Sequence, residues 1–170
     1  MNNAYASLKA RLIAMIYESL LVAAVTFVGL VVAAPFAFVL REWPVFSSTL
    51  IALILLWAWR WYFVGAWRKK EQTLAMKTWN IVLKSANGQR ASRKQLNLRF
   101  IWATLLLLLI PSAVYLVARH YGHEPKSALV LGMLWWILPW GWALLNRERQ
   151  FLYDVLAGTA LFSAKKPEKA

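Results

Sequence analysis

At 170 residues the chain is 61% hydrophobic, carries eleven tryptophans, and has a mean hydropathy of +0.49. Soluble globular chains average about 45–50% apolar and about 25% charged residues; here only 16% are charged, which excludes most soluble classes and indicates a membrane protein. The balance of 20 Lys+Arg against 7 Asp+Glu, net +13, is read as a topology signal rather than a nucleic-acid footprint, and without cysteine there is no disulfide framework, zinc ribbon or thiol nucleophile.

Crossing about 30 Å of hydrocarbon takes roughly 20 apolar residues as a helix, and four runs qualify. Residues 12–40 contain one charge, Glu18, and residues 45–67 contain one, Arg60; residues 100–118 and 127–145 contain none. None alternates as a barrel strand would. Lys9 and Arg11 ahead of Val32-Ala33-Ala34 also suit a signal peptide, but an apolar stretch this long with a carboxylate in it fits a tilted span that frays after Pro35 better. Trp43, Trp57, Trp67 and Trp102 fall near span boundaries, where indole rings favour the headgroup layer. Trp135, Trp136, Trp140 and Trp142, beside Pro139 and Gly141, are either packing residues or a stacking platform for a ligand. Pro111 and Pro139 interrupt spans three and four by removing backbone donors.

Only Arg41, Arg119 and Lys126 fall on one side of these spans; apart from Arg60, the remaining basic residues flank the other side. The positive-inside rule therefore places both termini and the loop 68–99 in the cytoplasm of a multi-pass inner-membrane protein. In that loop, Trp79 to Ser85 is β-rich and runs into Asn87-Gly88, a type I′ hairpin signal. It predicts a ribbon from Trp79 to Lys84 returning through Gln89 to Ser92, with an interfacial helix over Thr73 to Leu83 as the competing reading. Ser92 is placed to cap a basic helix leading into span three. In the tail, residues 146–170, Phe151, Leu152, Val155 and Leu156 recur at helical spacing and predict an amphipathic segment on the inner leaflet; Lys165 to Ala170 is a charged end.

Charges inside hydrocarbon point to function. Glu18 lies seven residues past Arg11 and Arg60 seven before Trp67, so both sit about 10 Å inside, at a matching depth from which antiparallel neighbours could pair them. Arg11 and Glu18 share a face two turns apart. Either Glu18 binds a cation or exchanges protons beside Arg60, or the pair is a packing and topology lock. Asp154 can pair with Arg11 at the boundary or be a solvated carboxylate. His120, His123 and Glu124 make a poor metal cluster, and no phosphate-loop, zinc-protease or hydrolase motif occurs. No metal, no cofactor and no enzymatic activity are therefore expected.

Three stretches carry a family resemblance. They are Lys9-Ala10-Arg11-Leu12 with Tyr17-Glu18, the loop Gln72-Thr73-Leu74-Ala75-Met76-Lys77 with Asn87-Gly88, and the tail Arg149-Gln150-Phe151-Leu152-Tyr153-Asp154-Val155-Leu156-Ala157-Gly158-Thr159. In these the chain resembles the RDD family of bacterial membrane proteins, named for an arginine and two aspartates. The resemblance makes Arg11 the family's arginine and Asp154 its second aspartate. Glu18 stands at the first aspartate, Glu71 replaces the glycine usual before Gln-Thr, and Ala75 replaces another. Transport, including sodium or proton exchange, is often suggested for the family.

The expected fold is therefore an all-α, four-span bundle forming a single RDD-like domain over 1–170, with a β-hairpin-like cytoplasmic loop and an amphipathic tail. Its expected role is a small transporter, or transporter subunit, for protons or monovalent cations, with Arg11, Glu18, Arg60 and Asp154 as its charge site and Gln72, Thr73, Asn87 and Gly88 as a loop motif. Expected partners are membrane lipid, including anionic lipid, and a second copy or another membrane protein. A non-catalytic scaffold using the basic face is the alternative.

Overall fold

The four apolar runs fold as helices because hydrocarbon leaves the backbone no other hydrogen-bond partners. In the computed structural model, which describes residues 4–164, four helical spans are long and apolar enough to cross a membrane. They are α1 (Leu8–Val39), α2 (Pro44–Lys70), a third span assembled from α4 (Arg93–Thr104), a π-helical turn (Leu105–Leu109) and α5 (Ile110–His120), and a fourth from α6 (Pro125–Leu134) and α7 (Ile137–Leu145). The short elements are α3 (Leu74–Thr78), β1 (Ile81–Ser85), α8 (Leu152–Leu156) and β2 (Thr159–Ser163). The charged end Lys165–Ala170 lies outside the described residues.

Local chemistry sets the ends. Ser7 caps α1 by accepting from the Ala10 N–H at 3.3 Å, and Pro44 opens α2, where its missing donor costs nothing. Arg68, Lys69 and Lys70 occupy the last turn of α2 and complement its dipole. Ser92 and Gln95 form a reciprocal capping box at α4, which extends the third span well before Phe100. α1 does not fray after Pro35 but stays helical to Val39.

Pro111 has a specific structural answer in span three. The Ile110 N–H reaches back five residues to the Leu105 carbonyl, and Pro111 has no N–H to offer to Leu106 or Leu107. Those two carbonyls accept instead from the indoles of Trp135 at 2.9 Å and Trp136 at 3.0 Å. Half of the tryptophan cluster is thus a hydrogen-bonded seam between spans three and four. Close approach is completed by Gly132, where an added Cβ would sit 2.8 Å from the Pro111 carbonyl oxygen. Trp136→Phe should therefore lower unfolding free energy by about 2 kcal/mol, by stranding the Leu107 carbonyl in an apolar site; chemical denaturation in detergent would measure it.

Below the spans, at the end that carries the 68–99 loop, the expected hairpin is replaced by a long-range sheet. β1 pairs antiparallel with β2, from Ile81↔Ser163 to Ser85↔Thr159, and β2 is bridged on its other edge by the N-terminal stretch through Tyr5↔Phe162. The turn after β1 does form, with the Gly88 N–H on the Ser85 carbonyl at 2.8 Å. Its central residues are Ala86 and Asn87, neither of which has a positive φ, so it is not the type I′ turn expected at Asn87-Gly88. Residues 89–92 then lead into the α4 cap, so the edge of β1 stays free for the tail. The competing interfacial helix shrinks to α3. The tail is also not a surface helix: Phe151, Tyr153 and Asp154 are buried, and only Val155 and Leu156 face outward. A core of Trp67, Met76, Ile81, Leu83, Leu96 and Leu161 joins the sheet to the spans.

Candidate functional site

Two polar clusters meet at the loop end. The first is built on Asp154, which α8 presents completely buried. Its Oδ1 accepts from Arg99 Nε at 2.5 Å, and the Arg99 guanidinium lies 4.3 Å from the ring centroid of Trp67 and 5.4 Å from that of Tyr153. A buried guanidinium is thus matched by one carboxylate and two aromatic faces. Asp154 therefore pairs with Arg99, and is neither the ion-pair partner of Arg11 nor a solvated carboxylate.

Arg11, only 2% exposed, works alongside as a clamp. Its Nη1 donates to the Arg149 carbonyl and its Nη2 to the Leu161 carbonyl at 3.2 Å, while Asp154 acts on it electrostatically. Arg149 is itself left-handed (φ 52°). Buried Gln150 accepts from the Leu161 N–H at 3.0 Å, fixing the same strand. Burial, and then the charge of Asp154, push the Tyr153 phenol above its ordinary value, with Arg99 and Arg11 offsetting part of this.

The second cluster centres on Glu18, whose oxygens accept from the Tyr62 hydroxyl at 2.7 Å and the Thr73 hydroxyl at 2.5 Å. Thr73 also caps α3 through the Met76 N–H. Glu18 and Arg60 do not pair. Arg60 is exposed and donates to Asn97 Oδ1 at 3.0 Å, because equal depth on a helix does not fix direction. Two residues turn a helix by about 200°, so with Tyr62 facing α1, Arg60 faces away.

Between the clusters lies a cavity of about 400 Å³, with Arg11, Glu18, Arg99, Trp67 and Trp140 among its walls. Of the expected site residues, Arg11 and Glu18 line it, with Thr73 bonded to Glu18 and Asp154 to Arg99, and Arg60 is left out. Gln72 holds the Ile81 carbonyl at 3.2 Å, whereas Asn87 and Gly88 shape the turn after β1. Sequence reasoning missed Arg99, Tyr62 and Gln150 as site residues. For Arg99 the signal was present: Leu96, Arg99, Ala103 and Leu106 follow the 3.6-residue period of an inward face.

Glu71 adds a local point. It occupies a left-handed position (φ 57°), where glycine carries no steric penalty. Its carbonyl accepts from the Leu83 N–H at 2.7 Å, and its carboxylate pairs with Arg90 at 3.3 Å.

Among curated proteins and solved structures none matches this chain. The RDD family profile matches residues 5–158, most of the chain and all of the buried arginine–aspartate network. The chain belongs to the RDD family.

Proposed function

We propose that this RDD-family protein is a small transporter, or the membrane subunit of one, that moves protons or monovalent cations by loading and unloading Glu18. The observation that carries the reading is the setting of that carboxylate. It lies within a span, lines the cavity, and is held by two neutral hydroxyls, with no salt bridge to it among the described residues. A carboxylate without a cationic partner can take up a proton or small cation without first breaking an ion pair. The Tyr62 and Thr73 hydroxyl oxygens can also turn to accept. Arg60 has no part in this scheme; Arg11, Arg99 and Asp154 hold the floor in place.

The positive-inside argument puts the loop end in the cytoplasm of the inner membrane, and no step here requires enzymatic chemistry. Four spans enclose little space, which favours work as a homo-oligomer or beside a membrane partner. A scaffold that gathers anionic lipid is the second reading, supported by exposed Arg68, Lys69, Lys70, Arg93 and Lys94 around the loop end.

Cation-driven proton flux in proteoliposomes tests the first reading. The parent should carry flux, and Glu18→Gln should lose at least tenfold of it while eluting as a folded species. Flux that survives in Glu18→Gln removes Glu18 as the carrier. A parent without flux that co-purifies with membrane proteins supports the scaffold.

A further inference from the structure

An arginine within a membrane span is costly unless an acid, water or a lipid head group answers it. Arg60 is exposed, and its hydrogen bond among the described residues runs from Nη2 to the neutral Asn97 Oδ1 at 3.0 Å. None of the ion pairs among the described residues involves it. A guanidinium has five N–H donors, so most of its donors, and all of its charge, are left to an outside partner. Asn97 lies three residues before the charge-free run that starts at Phe100. The Arg60 side chain therefore snorkels to the edge of the hydrocarbon, the level of lipid head groups. One turn nearer the loop end, on the same face of α4 as Asn97, stands exposed Arg93.

Arg60 also ends an apolar groove of about 910 Å³, in which it is the one charged wall residue among those described. α2 packs against α4, whereas α5, further along the third span, packs against α6; the groove is the space left between α2 and that span. Its walls include Val32 and Phe36 of α1, Leu50 and Leu53 of α2, and Ile101 and Leu109 of the third span. Leu53, Ile101 and Leu109 are each more than half exposed, so the groove opens sideways to the bilayer. From Arg60 back to Leu50, α2 covers about 15 Å, half of the roughly 30 Å of hydrocarbon. The groove is thus one leaflet deep, with its cation at the head-group end.

We propose that this groove holds one glycerophospholipid of net negative charge, drawn from the leaflet at the loop end, with its phosphate on Arg60 and an acyl chain along α2 toward Leu50. The planar guanidinium matches two phosphate oxygens, and basic pockets between spans suit anionic head groups. Arg93 repels a head group that carries its own ammonium, which favours an anionic lipid over a zwitterionic one. A second copy of this chain is a poorer occupant, because Glu18 is the one acid within the four spans and both its oxygens are held by Tyr62 and Thr73. The site is separate from the transport reading, in which Arg60 has no part, and from diffuse attraction of lipid to the basic loop end.

The test titrates the full chain, purified in a nonionic detergent, with dioleoylphosphatidylglycerol and dioleoylphosphatidylcholine, read by native mass spectrometry. Phosphatidylglycerol should bind one per chain, and phosphatidylcholine about fivefold more weakly, the scale of one basic residue acting on an anionic lipid. Arg60→Gln should weaken phosphatidylglycerol about tenfold, the worth of one charge-assisted contact. Leu53→Trp, which fills the groove and leaves the charge, should also weaken it, and decides the matter if Arg60→Gln does not fold. Arg68→Gln, which removes an exposed charge outside the groove, should leave the affinity unchanged. Equal binding of the two lipids, an unchanged affinity in Arg60→Gln, or an equal loss in Arg68→Gln and Arg60→Gln would each overturn the proposal. So would a lipid-free dimer that Arg60→Gln dissociates, since the groove would then belong to a second copy.

Discussion

Asp154→Asn is expected to cost the fold about 3–5 kcal/mol, the usual penalty for breaking a buried ion pair by removing one partner. Asp154 is fully buried, and the Arg99 side chain it faces is only 8% exposed. Without the carboxylate, the guanidinium keeps its two aromatic faces but loses the one counter-charge at hydrogen-bond distance among the described residues. A loss of this size is a large share of a stability that is typically about 5–15 kcal/mol, so the variant should unfold at a markedly lower temperature in detergent. The double variant Arg99→Met, Asp154→Asn should recover at least half of the loss, because two neutral groups replace a pair whose desolvation was itself expensive. Should the double variant be as unstable as Asp154→Asn alone, the damage would come from the α8 backbone rather than from the stranded charge.

Arg11→Met is expected to be nearly as damaging but in a different place, lowering stability by about 3 kcal/mol through the loss of two charge-assisted bonds to backbone carbonyls. Those carbonyls belong to Arg149 and Leu161, on either side of α8, so the loss should be concentrated in the tail. Hydrogen exchange should accelerate first at the amides of Ala6 and Leu161, which bond within this floor, ahead of amides in the spans. Arg11→Lys should restore only part of the protection, because a single ammonium cannot present a planar fork to two separated oxygens. Uniform acceleration across all four spans would show instead that Arg11 supports the bundle as a whole.

These two arginines show how far the sequence could be read. The four spans were legible because charge-free length is a one-dimensional property; their ends shifted where caps intervened, as at Ser92, which carries the third span to Arg93. Arg11 and Asp154 were legible through the resemblance, and Glu18 through its rarity in an apolar run. Arg99 was not, because it sits among topology-setting basic residues, and what sets it apart is burial. The Glu18–Arg60 pair failed because depth was derived without direction around the helix axis. The hairpin failed for a related reason. Asn87-Gly88 is a local signal, whereas the strand that pairs with β1 lies beyond two further spans and is selected by long-range packing that no local pattern encodes.

The interleaved sheet has a consequence for biogenesis. β2 lies between β1 and the N-terminal stretch, and α8 delivers the acid bonded to Arg99. β2 follows all four hydrophobic segments in the chain, so the strand that closes their base is synthesised after them. A chain ending at Leu145 would leave Arg99 without Asp154 and Arg11 without the Arg149 and Leu161 carbonyls, an open, cationic underside to the bundle.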